Sequence, residues 1–210
     1  VEAKHVIDPF EIPKTWKTEY VIDYGYRNPL ACLKTAIDYD DNYYVVDEHY
    51  EREKIISYHA EKIKDMGYSK SHVCYIDPSC NAKTRTKNEL QISIIDEFMD
   101  HGIFPIPANN NIAGTMRVNQ WFKEDRLKIF RNCINLINEV KELRWKKVKP
   151  DWNKNVPEEE EDKNNHGTDS LKYFANSRPQ ASKSPLPDNY EMEVRRQKFI
   201  NQKKVGAWYE

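Results

Sequence analysis

Three apolar runs stand close together near the start of the chain: TEYVIDYGY at 18–26, LACLKTAIDYD at 30–40 and NYYVVDEHYE at 42–51. Each is rich in β-branched and aromatic residues, and the last two are divided by the turn cluster DYDDN. Short strands separated by turns this tight pair with their neighbours, so the spacing predicts an antiparallel three-strand meander. The aspartates of DYDDNYYVVDEH are spaced like a calcium loop. That reading fails, because Tyr43 stands where the loop needs glycine and His49 where it needs glutamate.

After the meander the periodicity changes. EKIISYHAEKIKDM carries Ile56, Ala60, Ile63 and Met66 on one stripe, a helix over 53–66 ended by Gly67. HVCYID reads as a short strand stopped by Pro78. NELQISIIDEFMDHG places Leu90, Ile94 and Phe98 at intervals of four and predicts a helix closed by Gly102. A strand at IFPIPA, a helix around 114–122, a strand at 126–130 and a helix striped by Leu136, Val140 and Leu143 follow. Residues 146–164 turn basic, then acidic, and read as a solvated loop before a last short helix at NNHGTDSLKY. Strands followed by helices alternating with strands predict an α/β fold, a mixed central sheet with helices packed on it.

Residues 1–18, broken by Pro9 and Pro13, read as a lead-in, and 19–176 as the folded domain. From 177 to 210 a Ser/Pro-rich stretch and then the basic EMEVRRQKFINQKK read as a flexible tail. The chain has 33 Lys and Arg against 34 Asp and Glu, so any nucleic-acid contact must come from a local patch. No apolar stretch approaches the roughly 18 residues of a membrane span, and VEAKHVIDPF lacks the features of a signal peptide. Cys32, Cys74, Cys80 and Cys133 are scattered and form no disulfide framework, which fits reduced thiols in a cytosolic setting. His72, Cys74 and Cys80 have no matching second pair for a structural zinc.

Asp23 follows the apolar run YVI, and Asp77 follows VCYI. An aspartate after a strand often caps a turn. A carboxylate at the end of a buried strand is also costly unless it is paired, hydrogen-bonded or bound to a cation. Asp169 adds a third, with His166 three residues earlier on the same helix face. Three carboxylates meeting at one sheet edge would suit two hard divalent cations, Mg2+ or Mn2+. His166 reads either as part of a polar helix start or as a group beside that site. Glu48 reads as an exposed strand carboxylate or as a support for the site. Lys83, Arg85 and Lys87, and a second run at Lys146, Lys147 and Lys149, read either as solvated loops or as phosphate contacts.

Taken together, four blocks carry a resemblance. WKTEYVIDYGYRNPLACL resembles the start of the nuclease domain of tailed-phage large terminase subunits, where Asp–x–Gly follows the first strand. VVDEHY and YIDPS are similar to the next blocks, and 108–145 to the middle section. NNHGTDSLKY resembles the closing block, usually Asp–His–x–x–Asp–Ala–Leu–Arg–Tyr. The resemblance runs from Ile12 to Ala175. It implies a ribonuclease H-like fold and a metal-dependent endonuclease that cuts concatemeric viral DNA during genome packaging in the host cytoplasm. Asp23, Asp77 and Asp169 would be metal ligands, with His166 beside them as a further catalytic group. Asn165 stands where many relatives have aspartate, and Lys172 replaces a frequent arginine, which keeps the charge and changes the geometry of a phosphate contact.

The family's packaging ATPase needs G-x-x-x-x-G-K-[ST]. None of the six glycines here is followed by lysine. The resemblance therefore implies a nuclease part joined through residues 1–18 to an ATPase domain elsewhere in a longer chain. Expected partners are double-stranded DNA, the portal and the small terminase subunit, with no membrane. A junction-resolving nuclease of the same fold, or a silent adaptor docking on a capsid or portal, are the rival readings.

Overall fold

The computed structural model describes residues 2–87, 90–111, 113–142 and 165–178. A short helix α1 (Glu2–His5) leads into strand β1 (Val6–Ile7), and β2 (Lys17–Asp23), β3 (Leu30–Ile37) and β4 (Tyr43–Glu51) follow. Helix α2 (Ile56–Asp65) and β5 (Val73–Ile76) come next, then a 3-10 turn at Pro78–Asn81 and the strands β6 (Arg85–Lys87) and β7 (Leu90–Ile92). The rest is α3 (Ile94–Asp100), β8 (Pro105–Pro107), α4 (Ala113–Lys123), β9 (Leu127–Phe130), α5 (Ile134–Glu142) and α6 (His166–Asn176).

Seven strands form one sheet in the order β1-β9-β4-β3-β2-β5-β8. The meander forms as the sequence predicts, with β2–β3 and β3–β4 antiparallel. On one side β5 runs parallel to β2, and β8 parallel to β5. On the other, β9 runs parallel to β4. The sheet is therefore mixed, and the strands β2 and β5 end at the same edge.

Helices cover both faces, and alternation along β2 divides the core between them. Tyr20 and Ile22 pack with Ile56, Ala60 and Ile63 of α2 and Phe98 of α3. Val21 packs on the opposite face with Trp121 of α4, Leu136 of α5 and Leu171 and Phe174 of α6. Burying each large apolar side chain contributes about 1.5–3 kcal/mol. Glu19, Val21 and Asp23 thus share the α6 face. Glu19, wholly buried, pairs with Arg178 just beyond the end of α6, and Asp23 meets its start. The helix lies along β2, clamped by charge at both ends.

Two expectations are corrected. Residues 90–100 are not one helix: Leu90–Ile92 pairs antiparallel with Arg85–Lys87, and the helix begins only at Ile94. Ser93 forms a capping box with Asp96, which starts the helix there, and Leu90 lies 69% exposed on the hairpin. The lead-in is also not free of regular structure. Val6 and Ile7 pair parallel with Ile129 and Phe130 of β9, and Pro9 acts only after that strand is complete. All four cysteines are free and buried. Leu143, the basic run at 146–149, the acidic loop and the tail from 179 on lie outside the described residues.

Candidate functional site

Asp23 is the last residue of β2, and Asp77 directly follows β5. The Asp77 N–H donates to the carbonyl of Ile22 at 3.1 Å, so the two aspartates stand side by side where the parallel strands end. Gly25 lets the chain turn away at once. A Cβ there would lie 2.5 Å from the Asn28 carbonyl oxygen and 2.8 Å from that of Pro29, contacts no side chain could make. Asp77 is held at both oxygens: Ser79 N donates to Oδ1 at 2.7 Å and the Tyr173 hydroxyl to Oδ2 at 3.0 Å.

Helix α6 brings the other two residues. His166 is its first residue, and its Nδ1 lies 2.9 Å from Asp23 Oδ2. Ser170, one turn on, donates to the Ala31 carbonyl at 3.1 Å and fixes the helix against β3 beside Asp23. Asp169 accepts from Lys172 Nζ at 2.6 Å and from Asn165 Nδ2 at 2.9 Å. Asn165 and Lys172, two of the positions where the chain departs from the terminase pattern, therefore both serve Asp169.

The electrostatics report one shared cluster. Burial pushes the Asp23 carboxyl above its ordinary value. The hydrogen bond to His166 opposes this, Asp77 adds to it, and Lys172 counters it. His166 is raised, chiefly by its hydrogen bond to Asp23 and against the effect of burial, with Glu139 and Asp169 adding to the rise. Tyr173 is raised strongly, first by burial and then by Asp77, Asp23 and Asp169. One phenol thus feels all three carboxylates. The donor set is oxygen-rich, as a hard divalent cation prefers. Among the described residues, no group of three or more His, Cys, Asp or Glu side chains is arranged to hold an ion in this conformation. What stands ready is the Asp23–Asp77 pair, with Asp169 engaged by Lys172 and Asn165.

The basic residues after Asp77 lie on the β6–β7 hairpin. Arg85 pairs with Glu97 at 2.5 Å and donates to the Tyr24 hydroxyl at 2.7 Å, while Lys87 pairs with Asp100 at 2.6 Å. Both therefore tie the hairpin down; Lys83 is exposed. Glu48 is neither an exposed strand carboxylate nor near the aspartates by any bond. It accepts from Asn135 N at 2.7 Å and Leu136 N at 3.0 Å and so caps α5.

Sequence reasoning missed Tyr173 and Glu139. Tyr173 lies seven residues after His166 and so falls on the same helix face. Glu139, 5% exposed, sits three residues after Leu136 and one before Val140, a charge on an apolar stripe.

Comparison with known proteins places these features in a family. Residues 21–178 match the model of the terminase RNase H-like domain. The large terminase subunit of Escherichia phage T5 is 25% identical over 167 residues, which cover 78% of this chain and 36% of that protein. The chain thus spans about a third of its curated relative. The nuclease domain of the P22 large terminase superposes with a TM-score of 0.66 at 16% identity, covering 84% of this chain and 88% of that one. The large terminase nuclease of thermophilic phage G20c, solved with bound cobalt, gives 0.54 at 11% identity, covering 83% and 94%. The structural likenesses show the ribonuclease H-like fold.

Proposed function

Because this chain belongs to the terminase RNase H-like domain family, we propose that it is a metal-dependent DNA endonuclease, the nuclease part of a phage large terminase subunit. It cuts concatemeric viral DNA during genome packaging. The observation that carries this reading is the pairing of Asp23 and Asp77 at the ends of two adjacent parallel strands, with His166 and Asp169 delivered by α6.

The residues fit a pair of Mg2+ or Mn2+ ions. Asp23 is buried, which raises its carboxyl, and all three acids offer hard oxygen donors. Asp23, Asp77 and Asp169 would hold the ions; the cobalt bound by the G20c nuclease supports a divalent cation in a domain of this fold. Divalent cations, if held there, would supply Lewis acidity, activating a water and stabilising the oxygen that leaves the phosphodiester. The chain's own residues do the positioning. Ser79 N and the Tyr173 hydroxyl orient Asp77. His166 Nδ1 orients Asp23, which leaves its other ring nitrogen to hold or move a proton. Lys172 supplies a positive charge beside the acids, and Lys83 an exposed one for the DNA backbone.

The T5 relative is much longer than this chain. We place an ATPase domain elsewhere in the same parent protein, and the nuclease unit takes in strand β1 and runs to Arg178, the partner of Glu19. The portal and the small terminase subunit are further partners, in the host cytoplasm. The test is nicking of supercoiled plasmid with Mn2+ or Mg2+ against EDTA. Wild-type protein should cut only with metal, and Asp23→Asn, which keeps the shape and removes the charge, should not cut. Unchanged cutting by a cleanly purified, folded Asp23→Asn protein would sink the assignment.

A further inference from the structure

Helix α6 carries His166 and Asp169, so whatever fixes its first turn sets the site. A helix start leaves four N–H groups without partners inside the helix, and the residue before it normally caps them. Here that residue, Asn165, makes no capping bond with its side chain and spends it on Asp169. The cap comes from another helix. Glu139 of α5 accepts from Thr168 N at 2.9 Å through Oε2. Its Oε1 accepts from the Tyr50 hydroxyl of β4 at 2.6 Å. Gly167 is matched to this arrangement. A Cβ there would lie 3.0 Å from Glu139 Oε2 and 3.2 Å from Leu136 Cδ1. The helix α5 is itself capped by Glu48 of β4. One carboxylate cap follows another from the sheet to α5 and from α5 to α6.

We propose that Glu139 is a positioning residue for the nuclease site. It holds the start of α6 so that His166 meets Asp23 and Asp169 stands beside them. The proposal rests on the functional reading above. A buried carboxylate is an unusual occupant of an apolar stripe. Here its negative charge faces the positive end of the α6 dipole, which makes it tolerable.

The test compares Glu139→Ala, Glu139→Gln and Tyr50→Phe in the whole 210-residue chain. Three quantities are measured: the melting temperature, kcat and KM for Mn2+-dependent plasmid nicking, and the imidazole 1H–15N spectrum of the histidines. The last reads the His166–Asp23 hydrogen bond without metal or DNA. Glu139→Ala should lower kcat about 10- to 100-fold with KM for DNA unchanged, the range for lost outer partners of a site. It should also displace the His166 ring resonances. Glu139→Gln keeps an acceptor oxygen for α6 and should restore most of both. Wild-type kcat and an unmoved His166 resonance in folded Glu139→Ala would overturn the proposal. Should Glu139→Ala not fold, Tyr50→Phe decides. A displaced His166 resonance with lower kcat supports the proposal, and wild-type values overturn it. A wild-type protein that never cuts would refute the nuclease reading, while the shift of the His166 resonance would still decide the role of Glu139.

Discussion

His49 and His59 lie on the face of the sheet away from the acids and bond ring to ring, Nε2 to Nδ1 at 2.8 Å. One ring must donate and the other accept, so the contact needs at least one neutral imidazole. Both rings are buried, His59 completely. Burial, with the His49 charge adding to it, pushes His59 down from 6.5 to about 4, and burial lowers His49 as well. Glu51 and Asp47 oppose the fall at His49 and Lys62 assists it. The sign follows from proton counting. Between pH 4 and 6.5 the unfolded chain binds more protons than the folded one, so stability falls as pH falls. It is complete above the unfolded value and lost as pH drops toward the folded one. From pH 7.5 to 5.0, His59 alone works out at about 2 kcal/mol. Water reaching the rim of the pair trims this, so a loss of about 1–2 kcal/mol is expected. The reference is a double variant, His49→Leu with His59→Leu, which removes both partners and should be nearly neutral at pH 7.5. Urea unfolding of both proteins at the two pH values subtracts the contribution of the carboxylates, Asp23 included. Equal losses in wild type and double variant would refute the reasoning.

Two further outcomes follow from the site. His166→Ala should slow cutting by roughly 10- to 1,000-fold, between the loss of an outer partner and that of a general acid–base. Calorimetric Mn2+ titration should still detect binding, and loss of one bound ion would make His166 a ligand instead. Gly25→Ala forces a Cβ onto two backbone carbonyl oxygens. It should cost about 1–3 kcal/mol by overpacking, read by thermal melting, with cutting reduced because Asp23 lies two residues away.

What the sequence declared in advance is what local patterning encodes. Each run of the meander, each strand-end aspartate with its strand, and the helical stripes of α2 and α5 are marked by residues within about a dozen positions of one another. The misses have physical causes. Strand β1 has two residues, too few for any period, and exists through pairing with β9 more than a hundred residues later. In NELQISIIDEF, the four-residue spacing of Leu90, Ile94 and Phe98 imitates a helix, while the informative residue was Ser93 with Asp96 three positions on. Glu48 and Glu139 were illegible as caps because a cap supplied by another element leaves no mark at the helix it serves. The charge of Glu139 on an apolar stripe was the one visible trace.

The register of β2 is the quantity on which the candidate site depends. Side chains alternate along a strand, so a slip of one residue would turn Glu19, Val21 and Asp23 away from α6 and present Tyr20 and Ile22 instead. Hydrophobicity alone guards weakly against that slip, because both faces of β2 are apolar and buried. The charges discriminate. In the observed register Arg178 meets the wholly buried Glu19, and His166 meets Asp23. In the slipped one, both carboxylates would be buried among α2 and α3 away from Arg178 and His166, a cost of several kcal/mol each. The buried pair at Glu19, remote from any chemistry, thus selects the register that brings Asp23 to His166. A cation at the other end would add to the same preference. Candidate site and fold are specified by the same alternation, with Glu19 and Glu139 at opposite ends of a helix whose first turn carries His166 and Asp169.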